Sequence, residues 1–120
     1  MIRMRQKYGN TKVVYDGHRF DSKAEAARYQ ELKLLQAAGK ISGLQIHPKF
    51  QLVPKSKTRR AVTYTADFMY YEYPEEGYTG TGVIVEDVKS VATAKNKAYI
   101  VKRNLFEYQN QDIQFREVIL

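Results

Sequence analysis

Apolar and polar positions change period several times along the chain, and each change marks an element. TKVVYDGHRF (residues 11–20) sets two short β-prone runs around Asp16-Gly17, a dipeptide suited to a two-residue hairpin turn. In DSKAEAARYQELKLLQAAGK the pattern becomes helical. Ser22 offers an N-cap, the interior is rich in Ala, Leu, Glu and Lys, and Gly39 is a stop. LQIHPKFQLVP reads as extended, with Pro48 implying a bulge or an edge. KSKTRR is a basic turn leading into AVTYTADFMYYEY, a long strand-like run of β-branched and aromatic residues. After the loop PEEGYTGTG comes a strand from Val83 to Lys89, in VIVEDVKS. AKNKAYIVKRNLFEYQN has Ala98, Val101, Leu105 and Tyr108 at helical spacing, and DIQFREVIL reads as a last strand. No repeat, linker or low-complexity segment interrupts this order. It predicts one α/β domain over residues 11–120, behind a basic flexible arm at residues 1–10.

Two of these strands carry residues that strands disfavour. Alternation puts Val83, Val85, Asp87 and Lys89 on one face, and Ile84, Glu86 and Val88 on the other. An acid and a base thus end an apolar face, either as a strand-end ion pair or as working groups. In TYTADFMYY the same rule groups Thr63, Thr65, Asp67, Met69 and Tyr71 against Ala66, Phe68 and Tyr70. Asp67 is a poor strand former there, and a cross-strand ion pair or local cap is its structural explanation. On the first helix Ser22-Lys23-Ala24-Glu25 fits a capping box. Glu25 also falls within the apolar arc between Tyr29 and Leu32, a direction that capping alone does not require. Glu31 lies near that arc and is its rival for a buried role.

Composition narrows the chemistry. A chain of 120 residues can bury a core without staples, and with no cysteine it has no disulfide and no thiolate metal site. That absence fits a reducing cytoplasm. The basic N-terminus has no apolar core of a signal peptide, and no run approaches membrane-spanning length. Twenty Lys and Arg against 13 Asp and Glu give a net charge of +7, which suggests a polyanionic partner, nucleic acid ahead of a membrane surface. Carboxylates on adjacent strand ends suit a hard cation such as Mg²⁺. A lysine on the same face could orient or deprotonate an attacking water, and the metal would lower that water's pKa. Such a site suits phosphodiester hydrolysis.

The order of these pieces is informative. A glutamate on a first helix, an aspartate on a strand after a hairpin, and Asp-x-Lys on the next strand resemble the PD-(D/E)XK nuclease superfamily. Within it the chain is similar to small phage-encoded nuclease-like proteins of the Holliday junction resolvase or endonuclease kind. It is more distantly similar to the endonuclease subunit of Tn7-type transposases. The resemblance runs from about Phe20 to the C-terminus, through FDSKAEAARYQELKLL, IHPKFQLVP, YTADF, VEDVK and YIVKRNLFEY. It implies a restriction-endonuclease-like core, a central mixed β-sheet flanked by helices. It also implies that Asp67 and Asp87 bind metal, that Glu25 is an accessory metal-binding acid, and that Lys89 is the catalytic lysine. The implied metal is Mg²⁺, with Mn²⁺ as a substitute, and no small-molecule cofactor is expected. Two positions depart from the pattern: Ala66 precedes Asp67 where proline is usual, and Asp87 stands where glutamate is common. Glu86 beside Asp87 leaves the second ligand open between them, and alternation favours Asp87.

Lys55, Lys57, Arg59 and Arg60 cluster at a hairpin tip, and Lys95, Lys97, Lys102 and Arg103 mark the second helix. Each could neutralise a phosphate, with Lys102 foremost because the helix after Asp-x-Lys lines the site in similar nucleases. A solvated basic face is the structural alternative. His18 and His47 show no ligand spacing, and both are set aside as metal ligands. GYTGTG lacks the lysine and helix of a phosphate-binding loop. The expectation is therefore a Mg²⁺-dependent DNA endonuclease, selective for branched DNA, acting in phage DNA processing in the bacterial host cytoplasm. Cutting both strands would call for a homodimer. Two other classes compete with it. A non-catalytic nucleic-acid-binding module on the same fold would bind DNA without cutting. A structural or partner-binding phage protein would have no DNA affinity.

Overall fold

The computed structural model describes residues 12–77 and 80–119, so the N-terminal arm read at residues 1–10 lies outside the described residues. The chain opens with a hairpin, β1 (Val13–Tyr15) and β2 (His18–Phe20). Asp16 and Gly17 at its turn have φ of 54° and 75°, the paired positive values that a tight two-residue turn demands. Helix α1 (Lys23–Ala37) follows, its N-cap Ser22 accepting from the Glu25 backbone N–H. Gly39, with φ 78°, turns the chain after the C-cap Ala38.

Strands β3 (Ile41–Ile46), β4 (Lys49–Val53), β5 (Val62–Thr65) and β6 (Phe68–Glu72) form one long hairpin that bends midway. β7 (Val83–Lys89), α2 (Val91–Ala94), α3 (Lys97–Gln109) and β8 (Gln114–Ile119) complete the chain. The central sheet has the order β3-β6-β7-β8, antiparallel except for the β7–β8 pair, with β4-β5 as a separate ribbon. The fold is thus α/β with a mixed sheet and helices. A helical crossover through α2 and α3 joins β7 to its parallel neighbour, as parallel pairing requires. Among the described residues no helix is long and apolar enough to cross a membrane.

Two apolar cores lie on opposite faces of the sheet. Tyr29 and Leu32 of α1 pack with Phe20, Phe68, Tyr70 and Ile84. Phe106 of α3 packs with Leu52, Tyr64, Ala66 and Val85. Ile84 and Val85 serve different cores, which is why β7 opens as a continuous apolar run.

The long strand expected across residues 61–73 is divided. Tyr64 and Ala66 face the α3 core whereas Phe68 and Tyr70 face the α1 core, so alternation slips at Ala66-Asp67. The reason is a corner shared with the opposing strand at His47-Pro48. The His47 N–H donates to the Asp67 carbonyl at 2.8 Å, and the Ala66 N–H donates to the Pro48 carbonyl at 3.0 Å. His47 has φ 54°, uncommon for a residue with a side chain, and register shifts flank the corner in both β3 and β4. Here β5 leaves the central sheet with β4, and β6 enters it beside β7.

Candidate active site

The corner, the start of α1 and the end of β7 meet at one cleft. It is lined by Asp21, Ser22, Glu25, Asp67, Lys89 and Thr93 among others. Glu25 sits in the first turn of α1 and is only 3% exposed. Its Oε2 accepts from the Asp21 N–H at 3.2 Å, one residue before the bond that a capping box would make. Its Oε1 faces His47 Nε2 at 2.6 Å. Glu25 therefore helps anchor the helix start while its second oxygen pairs with His47. Glu31, the rival on the same helix, is largely exposed beside Arg28.

Asp67 is fixed by the backbone on both sides. Its N–H donates to the Glu86 carbonyl at 3.1 Å, and its Oδ2 accepts from the Val88 N–H at 2.6 Å. Burial, then the nearby charges of Asp87 and Glu25, push its pKa up to about 9 against the ordinary 3.8. The Val88 bond and Lys89 oppose that rise without overcoming it.

Asp87 and Glu86 are both buried and stand on opposite faces of β7. Glu86 receives Arg28 Nε at 2.8 Å and Nη2 at 2.7 Å, with the Tyr70 hydroxyl donating as well. The Glu86 hydrogen bond raises the Arg28 pKa, and burial ahead of Glu86 raises that of Tyr70. This network ties α1 to the sheet. Asp87 instead takes the Tyr64 hydroxyl, and Lys89 Nζ lies 2.6 Å from its Oδ1. The approach is off the hydrogen-bonding line, so this buried oxygen accepts no aligned hydrogen bond. Lys89 also stands 4.6 Å from the centroid of the Tyr99 ring, whose hydroxyl donates to Glu117. Lys89 borders two clefts. The second is lined by Thr63, Thr65, Asp87, Tyr99 and Lys102.

Glu25, Asp67, Asp87 and Lys89, named from the sequence, thus come to one end of the sheet. Ligand atoms of Glu25, His47 and Asp67 lie within 4.8 Å of one another, a trio suited to a metal ion. Asp87 is not part of that trio, and His47, set aside in the sequence, is. The sequence signal for His47 is the irregularity at His47-Pro48, whose side-chain direction only the corner defines. The buried oxygen of Asp87 and the raised Asp67 describe a carboxylate cluster short of positive charge, an arrangement that fits a divalent cation. His18 lies apart, edge-on to Phe20 and Tyr29.

The basic residues divide by setting. Lys55, Lys57, Arg59 and Arg60 are exposed on the β4–β5 loop, and Lys95 and Lys97 are exposed around the start of α3. Lys102 reaches the second cleft. Arg103 is already paired, donating to Glu117 at 2.8 Å with Glu107 at 3.5 Å, which makes it a weaker phosphate partner than its neighbour.

No curated protein matches this chain. Residues 5–120 match the family described as "Protein of unknown function (DUF1064)", and across that span the chain belongs to this family.

Proposed function

We propose that this protein is a metal-dependent DNA endonuclease of the PD-(D/E)XK kind, hydrolysing phosphodiester bonds with Mg²⁺ as the expected cation. The observation that carries the reading is the gathering of Glu25, Asp67, Asp87 and Lys89 at one end of the sheet, with Lys89 bordering both the Glu25–Asp67 cleft and the cleft lined by Asp87. Asp67 and Glu25 would hold the metal, with Asp87 positioning Lys89 beside them. When bound, it would activate water and offset charge on the phosphate.

The chain's own residues would do the rest. Lys89 would donate to the attacking water or a phosphate oxygen, held in place by Asp87 and the Tyr99 ring. Tyr64 would fix the Asp87 carboxylate so that one oxygen stays directed. Lys102, Lys55, Lys57, Arg59 and Arg60 would neutralise phosphates beyond the cut, consistent with the net charge of +7. Among the described residues no element has the form of a base-reading motif of known groove geometry, which favours recognition of DNA shape, such as branched DNA in phage DNA processing.

The second reading, a nucleic-acid-binding module without chemistry, draws on the Tyr64–Asp87–Lys89 contacts, which also serve as a structural network. The test incubates the protein with labelled linear, nicked and four-way-junction DNA in Mg²⁺, Mn²⁺ or EDTA, beside Lys89→Ala. Cutting that needs metal and is lost in the variant supports the nuclease. Tight binding without cutting in any metal supports the module.

A further inference from the structure

We propose that His47 is a nitrogen ligand to the cation that Glu25 and Asp67 would hold, and that it tilts the site from Mg²⁺ toward Mn²⁺. The inference rests on the metal-dependent reading above and deepens it. Three donor atoms are arranged for the purpose, each with its partner group already held. Glu25 Oε2 and Asp67 Oδ2 are occupied by the Asp21 and Val88 N–H groups, so a cation would be met by Asp67 Oδ1 and by Glu25 Oε1, whose present partner is His47. His47 Nε2 lies 2.6 Å from that Oε1, and the ligand atoms of all three residues fall within 4.8 Å of one another.

Ligands at about 2.1 Å around a six-coordinate ion stand roughly 3 Å apart when adjacent and about 4.2 Å when opposite. The His47–Glu25 pair at 2.6 Å would have to open by about 0.4 Å to admit an ion, while Asp67 lies within 4.8 Å of both. The imidazole direction is set by the main chain. His47 adopts φ 54°, and its N–H is bonded to the carbonyl of Asp67, the ligand it would share the ion with. On neighbouring β7 the buried Asp87 Oδ1 has Lys89 Nζ at 2.6 Å but accepts no aligned hydrogen bond.

The identity of the third donor decides the metal. Mg²⁺ takes oxygen and keeps its waters, whereas imidazole suits first-row transition ions. Two carboxylates and one imidazole therefore favour Mn²⁺ over Mg²⁺, where an all-oxygen set would show little preference. Mn²⁺ is the natural probe because it is paramagnetic.

The experiment titrates the metal-free protein with Mn²⁺ and with Mg²⁺ by calorimetry, and records pulsed electron paramagnetic resonance of the Mn²⁺ complex. His47→Gln and His18→Gln are compared, each checked for unchanged circular dichroism and melting. The expected result is ¹⁴N coupling to Mn²⁺ in the wild type and in His18→Gln, absent in His47→Gln. Mn²⁺ affinity should fall at least about tenfold in His47→Gln while Mg²⁺ affinity changes little. Mn²⁺ bound with no ¹⁴N coupling in the wild type would overturn the role of His47 and leave the metal centre standing. Failure of both ions to bind at millimolar concentration would overturn the metal-dependent reading, and this inference with it.

Discussion

Replacing Asp67 by asparagine should stabilise the protein in metal-free buffer at pH 8 and leave it nearly unchanged at pH 4. The folded protein holds the Asp67 proton up to about pH 9, whereas an ordinary aspartate releases it near 3.8. A group whose pKa rises on folding gives its full contribution below the unfolded value and loses it as pH climbs through the folded one. The window is therefore pH 4 to 9, and stability declines across it. Each unit of that separation is worth about 1.4 kcal/mol, but water reaches the cleft and weakens the repulsion, so the cost at pH 8 is on the order of 3 kcal/mol. Asparagine has the same shape, its carbonyl can still accept the Val88 N–H, and it carries no charge to be repelled by Asp87 and Glu25. Urea unfolding of both proteins from pH 4 to 9, in chelator-treated buffer, should give two curves that separate steadily as pH rises. Adding Mn²⁺ should close most of the gap, because cation at a hundredfold excess over its Kd stabilises by about 2.7 kcal/mol and the variant has one ligand fewer. Parallel curves, or a variant less stable than wild type at pH 8 without metal, would refute the account of a charge-deficient cluster.

Three further outcomes follow from the same geometry. Lys89→Ala should lower the cleavage rate at least about a hundredfold with DNA affinity within a few-fold, and a variant that still cuts in single-turnover assays would remove Lys89 from the chemistry. Arg28→Met should cost about 3–5 kcal/mol in denaturant unfolding, because the fully buried Glu86 loses its charged partner. Adding Glu86→Leu should recover part of that loss, whereas additive costs would mean that the pair does not act as a unit. Replacing Lys55, Lys57, Arg59 and Arg60 together by alanine should weaken DNA binding and reduce the salt slope by up to about 0.9 for each phosphate no longer neutralised. An unchanged slope in a filter-binding series would place phosphate neutralisation elsewhere on the surface.

Local chemistry makes much of this molecule legible. Asp16-Gly17 and Ser22 act through neighbours within a few residues, and both the turn and the helix start lie where those residues place them. Alternation correctly separates Glu86 from Asp87, because β7 is paired without interruption to β8 from Ile84 to Lys89 and to β6 from Val83 to Glu86. It fails at Asp67 for the opposite reason. No glycine or proline marks Ala66-Asp67, and the bend is imposed from His47-Pro48 on the opposing strand. The same distance hides His47 as a site residue: its partner Glu25 is on a helix and Asp67 on another strand, beyond the reach of any short spacing rule. The second helical segment, read from Ala94, starts at its cap Asn96, and the single turn of α2 begun by Ser90 before it has no helical spacing to announce it.

The corner at His47 and Asp67 also has a mechanical meaning. It is the fulcrum of an arm, the β4–β5 ribbon, with four basic residues at its far end. A polyanion gripping that end would apply torque directly at two residues of the candidate metal trio. The arm is braced, however, because Phe50 and Tyr64 rest on Phe106 of α3 with ring centroids 4.5 and 5.6 Å away. Load taken at the tip is therefore passed to α3, and the spacing between the cleft's side chains is kept by aromatic packing on the other side of the sheet.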